Sequence, residues 1–358
     1  MATLEDVAKC AGVSTSTVSR AFTSPDRINS KTKEKIFEAA VRVQYKPLRS
    51  HTFFDASEDI VETRRDSIGF HYFAMASDDV LSTNPFYSRI LSGALATASQ
   101  AGLQVILSSS VGRTGADPGE IHGPIAQMPD AMILAGHASP EIISQVSGNV
   151  PHSVLVDAVD EKGSLDCVVS DNIGGSIAVT EYLIGLGHRR IGFTLCNGTD
   201  PSFRERLDGY LHALYWAGIE FDTSLIVKPL SAVPLSTDEQ MQSLVTMLSR
   251  PDRPTAIIGA SDDHAYWVYR ACASLGLSIP ADVSVVGFDD VAYSARMTPA
   301  MTTVHVDAEG MGAIAVARIL EQSNLRRVDN RGHLAVRMMT ATRIVERDSC
   351  APVASLTY

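Results

Sequence analysis

The spacing of apolar positions divides this chain into a short all-helical front and a long alternating body. In the front, Leu4, Val7, Ala8 and Ala11 recur along one stripe, and Thr3 with Asp6 has the S/T-x-x-D/E spacing of a helix start. Gly12 can supply the positive φ of a tight turn out of that helix, and Ser14 is placed to cap a second helix from about Thr15. Val18, Ala21 and Phe22 form the apolar face of the second helix, which turns Thr15, Ser16, Ser19 and Arg20 outward. A third helix is predicted from Ser30 to about Val43, with Ile36, Ala39, Ala40 and Val43 inward. From Ser67 onward, short β-rich runs such as Ile68-Gly69-Phe70, Met132-Ile133-Leu134 and Val283-Ser284-Val285-Val286 alternate with amphipathic helical stretches. This rhythm predicts parallel sheets covered by helices on both faces, and its length favours two sheets over one.

Composition narrows the class. A chain of 358 residues that is 45% hydrophobic can bury a large core in two or three domains. It has no apolar run near the roughly 20 residues of a membrane span, and its N-terminus lacks a signal-peptide stretch, so a cytoplasmic protein is expected. Cys10, Cys167, Cys196, Cys272 and Cys350 lack ligand spacing and read as reduced thiols, with no metal and no cofactor expected.

Charge bears on the front segment most. Residues 1–50 hold nine Lys or Arg against five acids, a balance of +4 in a chain of −11, which leaves −15 for the remainder. That contrast is what a module contacting phosphate produces. Short hydroxyl side chains and one guanidinium on an outward helix face also suit base edges. The plainer alternative is a small helical subdomain that never meets nucleic acid. Pattern and charge together favour DNA.

The string D-V-A-x-x-A-G-V-S-x-x-T-V-S-R at Asp6 to Arg20, with T-K-E-K-I at Thr32 to Ile36 and Tyr45-Lys46-Pro47, resembles the lactose repressor/galactose repressor family of bacterial transcription regulators. Further strings in the body resemble the same family, among them Asn84-Pro85-Phe86-Tyr87, Gly187 to Gly192, and Val285 to Asp290. The resemblance implies a three-helix helix-turn-helix domain followed by a two-lobed α/β effector domain like a periplasmic binding protein, with doubly wound parallel sheets. It assigns base reading to Thr15, Ser16 and Arg20, and backbone contacts to Ser14, Thr17, Ser19, Asn29 and Thr32.

The same resemblance implies boundaries. A DNA-binding domain is expected at 1–47, a hinge at 48–66, one lobe at 67–164 and 293–324, the other at 165–292 and 325–347, and a tail at 348–358. The hinge departs from the family pattern. Counted without gaps from Pro47, Phe54 falls where relatives carry a leucine that wedges into the minor groove, but Asp55, Glu58 and Asp59 would sit near phosphate. A modified hinge helix and a flexible tether are both compatible with the segment. The tail lacks apolar heptads, so a terminal coiled coil is not expected.

Candidate effector contacts, by the family pattern, are Phe86 and Tyr87 on the first lobe, Asp157 near a crossing, and Ser202, Arg206, Ser261 and Asp289 on the second. Plainer readings are a cap for Asp289, a solvated helix charge for Arg206 and core packing for Phe86 and Tyr87. Ser261 stands where relatives often have Asn, and Val306 where they often have a polar residue. Asp262-Asp263-His264 reads as cap and dipole partners rather than a metal site, and His188 as a helix C-terminal cap.

The expected function is a homodimeric, sequence-specific transcription regulator, a repressor, that binds a palindromic operator on double-stranded DNA. A small molecule such as a sugar or related metabolite, held between the lobes, would control it, with no membrane involved. The alternative is a solute-binding protein of a sugar transporter, which gives the basic front no use. No G-x-G-x-x-G after a strand, P-loop, H-E-x-x-H or G-x-S-x-G is present, so an enzyme is not expected.

Overall fold

The computed structural model describes residues 3–18, 29, 32, 35–36, 39, 67–74, 81–111, 129, 131–136, 140, 143, 150, 152–198, 200–229, 235–325 and 335–353. The chain forms two compact units, Met1–Arg65 and Asp66–Tyr358.

In the first unit, α1 spans Leu4–Ala11 and opens with the capping box that its sequence spells. Asp6 N donates to Thr3 Oγ1 at 3.3 Å, and Thr3 N donates to Asp6 Oδ2 at 2.8 Å. Gly12 ends the helix at φ 61°, a left-handed conformation that a Cβ would strain. Residues 15–18 resume helix, capped by Ser14 Oγ, which accepts from Thr17 N at 3.2 Å. Val7, Ala8, Ala11, Val18, Ile36 and Ala39 are buried.

The second unit holds two six-stranded sheets. The first contains β1 (Ser67–Ala74), β2 (Gln104–Val111), β3 (Ala131–Gly136), β4 (His152–Val156), β5 (Asp166–Ser170) and β11 (Arg337–Thr340), in the order β11-β5-β4-β3-β1-β2. The second contains β6 (Ile191–Thr194), β7 (Ile226–Val227), β8 (Ala256–Gly259), β9 (Ser284–Asp289), β10 (Thr302–Val306) and β12 (Thr342–Val345), in the order β12-β10-β9-β8-β6-β7. All pairs are parallel except β10 with β12. Each sheet is doubly wound. Its order reverses at β1 in the first and β6 in the second, and such reversals open a crevice at the strands' carboxyl ends.

Helix α2 (Pro85–Gln100) packs against α7 (Ala308–Leu325) in the first lobe. In the second lobe α3 (Asn172–Gly185) packs on α4 (Pro201–Trp216), and α5 (Thr237–Leu248) on α6 (Asp262–Leu275). The α2–α7 contact brings backbones together. A Cβ on Gly93 would lie 1.9 Å from Glu309 O, and one on Gly312 2.0 Å from Ile90 O, so neither position has room for a side chain.

The lobes exchange chain later than the expected crossings near 165, 292 and 325. β5 pairs with β4 and belongs to the first sheet, whereas β10 pairs with β9 and belongs to the second. The crossings therefore fall at 171, 307 and 341. Apolar strands alternate with helices in both lobes alike, so the pattern locates strands without saying which sheet each will join; backbone pairing decides that.

Candidate functional site

The residues expected to hold an effector converge where the lobes meet. Asn84 caps α2, its Oδ1 accepting from Phe86 N and Tyr87 N at 3.1 Å each. This fixes the first turn of the helix, and Tyr87 then sends its hydroxyl to Asp157 Oδ2 at 2.8 Å. Tyr72 and Phe86 pack on the Tyr87 ring, with centroids 4.8 and 5.3 Å away. From the opposite lobe, Ser202 Oγ donates to Asp157 Oδ1 at 2.8 Å. Asp157 follows β4 with φ 58°, and its carboxylate thus ties the two lobes through one hydroxyl from each. Burial raises the Asp157 pKa, with the nearby Asp200 charge adding to it and Arg206 opposing. Burial, with Asp157 beside it, likewise pushes the Tyr87 hydroxyl well above its ordinary range.

Arg206 is no solvated helix charge: it is 2% exposed. Its Nε donates to Asn172 Oδ1 at 2.9 Å, its Nη1 to Ala260 O at 2.6 Å, and its Nη2 meets Asp289 Oδ1 at 3.0 Å. The guanidinium lies 3.8 Å from the centroid of the Phe288 ring, a cation–π contact in a dry setting. Asp289 is the last residue of β9, at φ 108°, and is not a helix cap. Although its Oδ1 touches Arg206, it lies off the line of any donor and receives no directed hydrogen bond among the described residues. Burial pushes the Asp289 carboxyl up to about 7, against the pull of Arg206.

Ser261 caps α6 and bonds His264 Nδ1 at 2.7 Å. Phe86 and Tyr87 are buried among core residues, so the packing reading holds for both, and they also lie where the lobes meet. Val306 is buried in the core. Arg89 reaches from α2 to Asp290 O at 3.2 Å, across the lobes, while pairing bidentately with Glu309 at 3.0 and 2.8 Å.

Sequence reasoning missed four residues that touch these candidates: Asn172 takes the Arg206 Nε–H, Asp200 caps the helix that carries Ser202 and Arg206, the Phe203 ring lies 5.7 Å from the guanidinium, and His264 bonds Ser261. Asp200 carried a signal, since D-P-S at 200–202 is an N-cap before proline at the first helical position. Asp262 stands in the first turn of α6, where a dipole partner belongs, and is also buried, accepting from Thr303 Oγ1 at 2.5 Å and Val291 N at 2.8 Å. His188 is structural, but not as a charged cap. Its ring contacts Thr255 Oγ1 at 2.9 Å and Ala351 O at 3.1 Å, and burial lowers its pKa. No cluster of metal-ligating side chains occurs among the described residues.

On the front unit, Thr15 and Ser16 are exposed and Thr17 is half-buried. Ser14 Oγ bonds the hydroxyls of Ser16 at 2.8 Å and Thr17 at 2.7 Å. Asn29 Oδ1 accepts from Thr32 N at 2.9 Å, in the manner of an N-cap. Ser19, Arg20 and Phe54 lie outside the described residues.

A family model for bacterial regulatory proteins of the lacI family matches residues 3–47, and one for a periplasmic binding protein-like domain matches 180–350. The HTH-type transcriptional regulator CelR of Thermobifida fusca is 30% identical over 353 residues, 97% of this chain and 98% of its own. The chain belongs to the lacI family. It is a DNA-binding transcription regulator, and the DNA-binding module sets aside the reading as a transporter's solute-binding protein. The ribose operon repressor of Escherichia coli is 29% identical over 320 residues, 88% of this chain and 91% of the repressor. Among solved structures, a CelR–cellobiose complex superposes with a TM-score of 0.67 at 27% identity, covering 98% of this chain and all of that one.

Proposed function

We propose that this lacI-family regulator is a homodimeric repressor whose operator affinity is set by a neutral sugar bound between its lobes. The observation that carries the reading is Asp289: a buried carboxylate oxygen with no directed donor, beside the fanned guanidinium of Arg206. A buried acceptor left unbonded costs free energy, and a sugar hydroxyl would supply the missing donor while its oxygen takes an N–H from Arg206. The relative caught with cellobiose supports the class of ligand. Asp157, Ser202, Tyr87, Phe86 and Ser261 line the remaining wall. Two front units on a dimer would read a palindrome, Thr15, Ser16 and Arg20 at base edges and Ser14, Thr17, Ser19, Asn29 and Thr32 at the backbone.

A role without catalysis fits the site. Burial holds the Cys196 thiol up at about 11 and His264 down at about 4, the reverse of an activated nucleophile and base at neutral pH. No helix among the described residues is long and apolar enough to cross a membrane. We place the protein with DNA in the cytoplasm.

The test is an electrophoretic shift of DNA from the protein's own promoter, run across salt concentrations, then repeated with cellobiose, ribose, glucose and galactose. Retarded DNA whose affinity falls steeply with salt, and changes with one of these sugars in wild type but not in Asp289→Asn, supports the reading. Unaltered mobility of all upstream DNA overturns it.

A further inference from the structure

Cys196 and Ser261 follow β6 and β8, the two strands at which the second sheet reverses its order, and the ring of His264 lies between them. Its Nε2 accepts the backbone N–H of Cys196 at 2.8 Å. An amide can only donate, so Nε2 must present its lone pair, and a neutral imidazole then carries its proton on Nδ1. Nδ1 sits 2.7 Å from Ser261 Oγ and donates to it. Burial and the Arg206 charge hold the ring neutral, its pKa near 4, with Asp200 the acidic group opposing them. The Cys196 thiol, 3.0 Å from Nε2 and held protonated by burial, can approach that lone pair only as a second, weak donor.

These contacts fill the acceptor side of Ser261. Its Oγ takes Nδ1–H from the ring and also the backbone N–H of His264 at 3.3 Å. The hydroxyl proton finds no acceptor among the described residues, although the residue is only 7% exposed. Arg206 Nη1 holds the carbonyl of the preceding residue, Ala260, and the Phe203 ring meets His264 edge-on at 4.9 Å. Ser261 is thus tied to Arg206 through the residue before it and to Phe203 through His264.

We propose that His264 is a positioning residue that locks Ser261 as a hydrogen-bond donor into the cleft, so that the second lobe selects an effector atom offering a lone pair and no positive charge. The inference rests on the cleft being the effector site. A serine without such a partner rotates to donate or accept; this one is left with donation alone. A hydroxyl, ring or carbonyl oxygen satisfies it. An ammonium would set donor against donor, at the positive end of α6.

The full-length chain labelled with 15N-histidine gives the first test. Two-bond nitrogen–proton correlation should show the His264 ring neutral from pH 8 to pH 5 with its proton on Nδ1, the signal assigned by its loss in His264→Gln. The opposite tautomer, or a ring that takes up a proton near pH 6.5, overturns the proposal. Thermal shift with glucose, cellobiose and glucosamine, the last as its ammonium, gives the second. Wild type should favour a neutral sugar over glucosamine by about tenfold, the weight of one hydrogen bond. His264→Leu should lose that preference, and His264→Gln, whose amide can serve both Cys196 N–H and Ser261, should restore it. Equal preference in wild type and His264→Leu overturns the proposal. If none of the three sugars shifts wild type, the sugar reading of the cleft fails, and the imidazole spectrum still decides the role of His264.

Discussion

Replacing Arg206 by lysine keeps the charge and removes the geometry. The guanidinium donates to two acceptors, Asn172 Oδ1 at 2.9 Å and Ala260 O at 2.6 Å, pairs its charge with Asp289 Oδ1 at 3.0 Å, and stacks on Phe288. A lysine ammonium on a shorter head can keep the Asp289 contact but not all three directions. Two charge-assisted bonds at about 1.5–3 kcal/mol each would be lost. Asn172 Oδ1 keeps the donor it has in Ser170 Oγ, so the cost falls to about 3 kcal/mol, most of it at the bared Ala260 carbonyl. For the unit Asp66–Tyr358, about 2.1 cal/mol/K per residue of unfolding entropy turns this into a melting point lower by roughly 5 °C. Scanning calorimetry of the full chain reads it directly. The double variant Arg206→Met with Asp289→Asn removes both buried charges and should recover most of the loss while leaving operator binding deaf to sugar. An Arg206→Lys protein that melts within a degree of wild type and responds to sugar unchanged would refute the account of the site.

Gly312→Ala should cost about 3 kcal/mol in urea unfolding with an unaltered m-value, because its Cβ would meet a backbone oxygen at 2.0 Å and only separation of α2 from α7 can relieve it. His71 is buried between Ser108 and Ser110, and burial depresses its pKa from 6.5 to about 4. Its folded form binds fewer protons than the unfolded chain in that window, so stability present above pH 6.5 drains away as pH falls toward 4. At 1.36 kcal/mol per pH unit the loss is about 3 kcal/mol, and the stability difference between wild type and His71→Gln should shrink by that much from pH 7 to pH 4. A pH-independent difference would show that His71 is not the titrating group. Thr15→Ala or Ser16→Ala should lower preference for the operator over scrambled DNA by about 1–3 kcal/mol without changing the salt slope, as measured by fluorescence anisotropy.

The front unit was legible because its signals are local. Thr3, Asp6, Gly12 and Ser14 each act on backbone groups within three residues or so, and the capping bonds form where their spacing says. The alternating body also declared its class. What the letters could not convey was long-range partnership. Arg206 looks like any arginine on a helix until β9 brings Asp289 beneath it from 83 residues away, and the crossings moved because pairing, not periodicity, assigns β5 and β10. His264 was hidden for a further reason: a histidine in the first turn of a helix reads as a dipole partner, and only the Cys196 amide, from the segment after β6, fixes what its two nitrogens do.

A single residue, Ala341, separates β11 in one sheet from β12 in the other. One residue carries two soft torsions, and its neighbours on both sides are pinned in hydrogen-bonded ladders. The edges of the sheets at that point can twist against each other but cannot part. At that joint a relative motion of the lobes is a rotation and not a separation, so the two sheet edges are held like the arms of shears whose rivet lies at Ala341.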